Sequence, residues 1–242
     1  MSYDLTKFKH GLEELKITLS DEQTEQFLQY YEMLVEKNKV MNLTGITEYE
    51  EVIQKHFLDS LSLIRVIPDI ASQKLTVIDL GTGAGFPGLP LKIAFPELEI
   101  TLMDSLNKRI LFLREVINAL DLKKVSAVHG RAEEMASNAA HRQQYDLCVS
   151  RAVSNLAVLT EYCLPFVKKG GLFVSYKSAD SDTEIQEGKK AISILGGKLT
   201  SVDKFQLPDS DLGRALVCIK KIKDTPKKYP RKAGTPAKLP LK

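Results

Sequence analysis

The stretch that most limits how this chain can fold is Leu75 to Pro90, LTVIDLGTGAGFPGLP. It opens with the apolar and β-branched run Leu75, Thr76, Val77 and Ile78, then places a carboxylate at Asp79 and glycines at 81, 83, 85 and 88. The run reads as a strand buried on both faces. Glycines at that density read as a turn whose backbone comes close to a ligand or takes positive φ. Leu89 to Phe95 resumes at helical spacing. Strand, glycine loop and helix N-terminus together predict a site for a nucleotide-like ligand, with backbone N–H groups pointing out of the loop. The plainer reading is a strand-to-helix turn that binds nothing; four glycines in eight residues argue against it.

The rest of the chain divides around this stretch. Apolar residues at 5, 8, 12, 15 and 17 predict a first helix over 4–17. Ser20 with Gln23 has the form of a capping box, opening a helix that carries Phe27, Tyr30, Tyr31, Leu34 and Val35 inward and ends near Asn38. Thr47 with Glu50 predicts a second cap, and Pro68 ends the helix it starts. Residues 1–67 are therefore expected to be a helical module. Strands then alternate with helices: strands are predicted at 75–80, 99–104, 125–129, 145–150 and 172–177, with KKGG (168–171) as the turn before the last. Two more, 199–206 and 214–222, have no helix between them and are expected to pair antiparallel. A domain spanning 68–222 results. Prolines 226, 230, 236 and 240 mark residues 223–242 as an extended tail without ladder or helix.

Charge is unevenly placed. The net charge is +3, yet Lys220 to Lys242 holds nine basic residues and one acid, leaving the other 219 residues at −5. One basic end on a mildly acidic body suggests a polyanion touched at one place. Lys227, Lys228, Arg231 and Lys232 are the expected phosphate contacts, with Tyr229 between them able to stack on a base. A solubilising tail is the bland alternative. Cys148, Cys163 and Cys218 are far apart in apolar segments and read as reduced core thiols of a cytoplasmic protein. The four histidines lack metal spacing, so no metal site is expected. No apolar run is long enough to span a membrane.

The glycine loop admits two registers. Gly83 to Gly88 fits G-x-G-x-x-G, the dinucleotide pattern. Asp79 to Gly85 is an acidic-x-G-x-G-x-G run that resembles the first motif of enzymes using S-adenosylmethionine. A carboxylate closing the strand suits a donor carrying an ammonium and a sulfonium, and gains nothing from an anionic pyrophosphate. Asp104 ends the second strand, where it can accept from ribose hydroxyls or cap a helix. Glu133 in GRAE (130–133) is a loop acid. Arg151 follows the fourth strand at the rim where ligands bind in open sheets, and is either a ligand contact or part of a salt bridge. Lys177 offers the same two readings. Phe86 lines a pocket or packs on the following helix. His56 and Asp59 read as a polar pair on a solvated helix face.

The order of elements resembles the α/β fold of class I methyltransferases, a Rossmann-like sheet of seven strands with the last two antiparallel, here with an N-terminal helical module. Beyond the sheet, VIDLGTGAGFPGLPLKIAFP, MDSLNKRILFL, GRAEE, SRAV and TPKKYPRKAGTPAKLPL, with MNLTGIT and HFLDSL in the module, resemble the small-subunit rRNA methyltransferase G family, also called glucose-inhibited division protein B. The resemblance covers nearly the whole chain. It implies methyl transfer from S-adenosyl-L-methionine to N7 of a guanosine in 16S rRNA, on naked RNA or the assembling small ribosomal subunit. It further implies cofactor contacts at Gly81, Gly83, Phe86, Asp104, Ala132, Glu133 and Arg151; a monomer is expected. An NAD-dependent dehydrogenase and a non-catalytic RNA-binding or cell-division factor are the competing readings; the first lacks a second catalytic domain.

Overall fold

A computed structural model describes residues 3–151 and 154–241 of the chain. Seven strands form one sheet in the order β3-β2-β1-β4-β5-β7-β6: β1 (Thr76–Leu80), β2 (Glu99–Asp104), β3 (Val125–His129), β4 (Tyr145–Ser150), β5 (Val167–Ser178), β6 (Gly197–Gln206) and β7 (Gly213–Lys221). The first five are parallel, while β7 pairs antiparallel with both β5 and β6. Strand order reverses between β1 and β4, which opens a crevice at their carboxyl ends.

Val77, Leu102 and Leu216 face one layer, and Ile78, Met103 and Val217 the other. The two-residue period of a strand sends neighbours to opposite sides, so β1 must be apolar throughout. Helices α1 (Thr6–Glu14) and α2 (Asp21–Met41) lie over the first layer. Ser20 and Gln23 make the expected reciprocal capping box. The Gln23 amide also donates to Ile93 O at 2.7 Å, tying the start of α2 to α5 (Gly88–Ala94). Phe8, Phe27, Tyr30 and Phe57 stack into one aromatic cluster that continues into the sheet core through Phe86.

The third helical stretch departs from expectation. It begins with α3 (Tyr49–Val52), whose N-cap position is Glu48 without a side-chain cap. Thr47 is not the cap; its carbonyl accepts from Tyr31 Oη at 3.1 Å. The stretch then widens to a π-helix over Ile53–Leu58, returns to α at α4 (Asp59–Leu61), and tightens to 3₁₀ over Ser62–Arg65. The remaining helices are α6 (Asn107–Ala119), α7 (Ala132–Met135), α8 (Leu156–Cys163), α9 (Asp182–Ile194) and α10 (Thr235–Lys238).

Three further boundaries move. The first helix stops at Glu14, because Lys16 takes φ 57°. KKGG lies within the span of β5, where it bulges out, with Gly170 at φ +86°, between Val167 paired with Tyr145 and Leu172 paired with Leu147. The basic tail is neither wholly extended nor free. Gly234, at φ +79°, starts α10, and Pro236 sits in that helix's first turn, where its missing N–H costs nothing. Tyr229 is buried among residues of the second layer, so it does not offer its ring for stacking. The Arg142 guanidinium donates to Tyr229 O and Thr225 O, both at 2.9 Å.

Candidate functional site

A cleft of about 1540 Å³ opens at the carboxyl ends of β1, β2, β3 and β4. It brings together Gly81, Gly83, Phe86, Asp104, Ala132, Glu133 and Arg151, which are scattered over 71 positions of sequence. The first helical module closes one side through Leu43, Thr44, Lys55 and His56.

Asp79 does not reach this cleft. Its side chain is fully buried beneath the loop, accepting from Thr82 Oγ1 at 2.6 Å and from Gly88 N at 2.8 Å. Burial pushes its carboxyl up to about 7, against the lowering effect of those two hydrogen bonds. The expected attraction between Asp79 and a cationic donor is therefore replaced by a local role: the carboxylate staples the loop to the start of α5. A Cβ on Gly88 would lie 2.2 Å from Leu102 Cδ2 and 2.8 Å from Asp79 Oδ2, so only glycine lets the staple form.

Most of the loop's N–H groups do not point outward either; Ala84 N alone has no acceptor among the described residues. Gly81 N and Thr82 N donate to Met103 O, Gly83 N to Asp104 Oδ2, Gly85 N and Phe86 N to Thr82 O, and Leu89 N to Gly85 O. With Gly88 N on Asp79 and a proline at 87, the array of free donors that grips a pyrophosphate is missing among the described residues of this loop. That geometry, rather than the charge of Asp79, disfavours a dinucleotide.

Asp104 is 4% exposed and holds the floor of the cleft. Oδ2 accepts from Gly83 N at 3.0 Å and from Arg109 Nη1 at 3.2 Å, and Oδ1 accepts from Leu106 N at 2.9 Å. A carboxylate has about four acceptor sites, so one is left for a hydroxyl. The cap reading does not hold, since the N-cap position of α6 is Leu106. Gly83, at φ +62°, would carry a Cβ into open space. Its bareness leaves room in the cleft for a ligand to approach the backbone. Glu133 accepts from Gly234 N at 2.9 Å, so the tail reaches the cleft.

Arg151 anchors the opposite wall. Its Nη1 donates to Asp59 Oδ2 at 2.7 Å and to Lys55 O at 3.1 Å, and Nη2 lies 3.3 Å from His56 Nδ1. Asp59 Oδ1 accepts from Arg214 Nε at 3.1 Å. His56 stacks on Phe86 with ring centroids 4.4 Å apart, and its Nε2 lies 2.9 Å from Thr44 Oγ1. Burial, with the Arg151 charge beside it, pulls the imidazole down to about 3, so it is neutral. His56 and Asp59 are thus not a solvated pair: the π-helix turns them toward the sheet, and Asp59 is 3% exposed. Arg214, on β7, has no motif around it and was invisible from sequence. Phe86 lines the cleft and packs on the helical module through Tyr30 and His56. Lys177 pairs with Glu184 at 2.6 Å.

Of the four expected phosphate contacts, Lys227, Lys228 and Lys232 are exposed. Arg231 is committed elsewhere, its Nη2 on Glu161 Oε2 at 2.6 Å and its backbone N on Oε1 at 2.8 Å, with Glu161 fully buried. Lys221 also leaves the basic end: it is buried, donates to Leu164 O at 2.6 Å, and burial pulls it down to about 7. The three cysteines are free and buried. Outside the cleft, His10, Glu14 and Asp209 come together at the surface, with His10 Nδ1 2.9 Å from Asp209 Oδ2; spacing along the chain hid this cluster.

The family model for GidB, rRNA small subunit methyltransferase G, matches residues 23–213. The chain belongs to this family. It is 57% identical over 238 residues to the ribosomal RNA small subunit methyltransferase G of Lachnoclostridium phytofermentans, covering 98% of each chain. Its identity to the protein of the same name from Alkaliphilus metalliredigens is 53% over 234 residues, 97% of each. Among solved structures, M. jannaschii TYW2 in complex with AdoMet superposes with a TM-score of 0.52 at 13% identity, over 68% of this chain and 77% of that one. That likeness is one of fold. The sheet is that of the methyltransferases, as the order of elements predicted.

Proposed function

We propose that this chain transfers a methyl group from S-adenosylmethionine to N7 of a guanosine in 16S rRNA, acting as a monomer in the cytoplasm. Membership of the family supports the reaction, and the inward-turned glycine loop supports the donor over a dinucleotide. When bound, S-adenosylmethionine supplies an electrophilic methyl on a sulfonium. Asp104 would take a ribose hydroxyl with its remaining acceptor site, Gly81 and Gly83 would let the ligand approach the backbone, and Ala132 with Glu133 would border the adenine. Phe86 and Arg151 would line the amino-acid end.

N7 of guanine has a free in-plane lone pair, so no side chain need remove a proton. The residues have to place and orient the base, and positioning dominates. Methylated guanine is cationic. A neutral His56 adds no charge beside it, and Arg151, whose Nη1 is already spent on Asp59 and Lys55, cannot present a two-pronged fork to O6 and N7. The narrow major groove of paired RNA hides N7, so the target is an unpaired, splayed base. Lys227, Lys228 and Lys232 would hold neighbouring phosphates.

Incubation with labelled S-adenosylmethionine and small-subunit RNA or particles tests the reading: label at N7 of one guanosine is expected, and no label in guanosine refutes it. Competitive titration of S-adenosylhomocysteine against NADH separates it from a dehydrogenase. A chain that binds RNA yet transfers nothing is the non-catalytic factor.

A further inference from the structure

The C-terminal segment carries TPKKYPRKAGTPAKLPL, a motif that the reaction above leaves mostly unused. In the structure this segment does not trail off. Arg142 holds it at Thr225 and Tyr229, and the fully buried Glu161 holds Arg231 by three groups: the backbone N–H, Nε and Nη2. The segment then turns at Gly234, whose N–H donates to Glu133 Oε1 at 2.9 Å, and enters α10. Gly234 and Ala237 line the same cleft as Ala132, Glu133, Leu159 and Tyr162.

These six residues come from α7, α8 and the turn into α10, elements that contact one another, and they line one part of the cleft as a slot. Its walls are mostly small and apolar, with one phenol and one carboxylate. A Cβ on Gly234 would meet nothing within 4 Å, so the turn faces open space and not packed protein. Tyr162 and Glu133 both line this part of the cleft, and burial and then the Glu133 charge push the phenol up. Flat apolar faces with a single polar edge are the usual lining for a planar heteroaromatic ring.

We infer that the Gly234–Ala237 turn is the outer wall of the nucleoside end of the methyl-donor pocket, contacting the purine through Gly234 and Ala237. The inference rests on the donor reading given above. Glu161 and Glu133 act as positioning residues for this wall: the first fixes the approach of the segment, and the second fixes its turn. The segment that presents Lys227, Lys228 and Lys232 to the solvent is thereby also part of the donor pocket.

The test uses the full chain. S-adenosylhomocysteine is titrated calorimetrically into the unaltered protein and into Ala237→Trp, and amide hydrogen exchange is followed over residues 233–239. Ala237 is exposed, so the indole displaces no core. Affinity is expected to fall at least about ten-fold in Ala237→Trp, as for a slot whose ring position is filled, with the thermal midpoint unchanged. Exchange over 233–239 is expected to slow when the unaltered protein is saturated. Equal affinity in the variant, or exchange that does not change on saturation, overturns the inference while leaving the donor reading intact. If the unaltered chain does not bind S-adenosylhomocysteine, the donor reading falls and this inference with it.

Discussion

The guanidinium of Arg151 stands 2.7 Å from the carboxylate of Asp59, 92 positions earlier on the broken helix. That one carboxylate, 3% exposed, also holds Arg214 from β7. It therefore joins the helical module, the end of β4 and the antiparallel part of the sheet at one wall of the cleft. Asp59→Asn keeps the volume and removes the charge. A loss of about 2 kcal/mol is expected from two charge-assisted hydrogen bonds weakened together, read as a lower urea midpoint. Binding of S-adenosylhomocysteine should weaken too, because Arg151 is no longer held. An unchanged midpoint would show that the arginines orient themselves.

Asp79 gives stability a pH dependence of unusual sign for a carboxylate. Burial raises it to about 7 from an unfolded value of 3.8, so the protonated form favours folding. That contribution is complete below 3.8 and fades as pH rises through 7. Asp79→Asn has no proton to lose. The thermal midpoint of the unaltered chain relative to Asp79→Asn should therefore rise as pH is lowered from about 8 to about 5.5. A difference constant across that range would contradict the buried, titrating carboxyl.

His56 works in the other direction. Its folded value of about 3 lies below the ordinary 6.5, so protons favour the unfolded chain, and stability present above 6.5 is lost as pH falls toward 3. His56→Gln keeps a polar partner for Thr44 and does not titrate. Between pH 6.5 and 5 the unaltered chain should lose about 1–2 kcal/mol more than this variant. Parallel losses in urea unfolding at the two pH values would refute it.

The basic segment separates into two kinds of cation. Replacing Lys227, Lys228 and Lys232 by Ala together should reduce the slope of log affinity for single-stranded RNA against log salt by about 2, at about 0.7 per phosphate contact. Arg231→Ala should do something different, lowering stability by about 3 kcal/mol because Glu161 is left buried and unpaired. Filter binding over a salt series and urea unfolding distinguish the two. Equal salt slopes for the lysine variant and the unaltered chain would remove the lysines from the RNA grip.

The sheet was legible because its signals are local. A short apolar run buried on both faces marks β1, the capping box at Ser20 and Gln23 marks α2, and the glycines at 81, 83, 85 and 88 mark the loop. Gly81, Asp104 and Arg151 come to one rim because they stand at or just past the ends of β1, β2 and β4, with Glu133 in the helix after β3. Failures came where partners are distant. Nothing near Asp79 in sequence says whether it faces the cleft or the core. Nothing near Arg231 reveals Glu161, 70 positions away.

Which segments become strands, where the glycine loop falls and, through the family motifs, the kind of reaction are matters of local pattern, and the amino-acid sequence carries them. The use made of each charged group is not. Asp79 became a loop staple, Arg231 a buried anchor and Lys221 a core donor, while Asp59 and Arg214 joined the cleft wall without any motif. A charge's role depends on its burial and on which opposite charge or hydrogen-bonding group the packed chain sets within about 3 Å of it, and only the tertiary structure settles either.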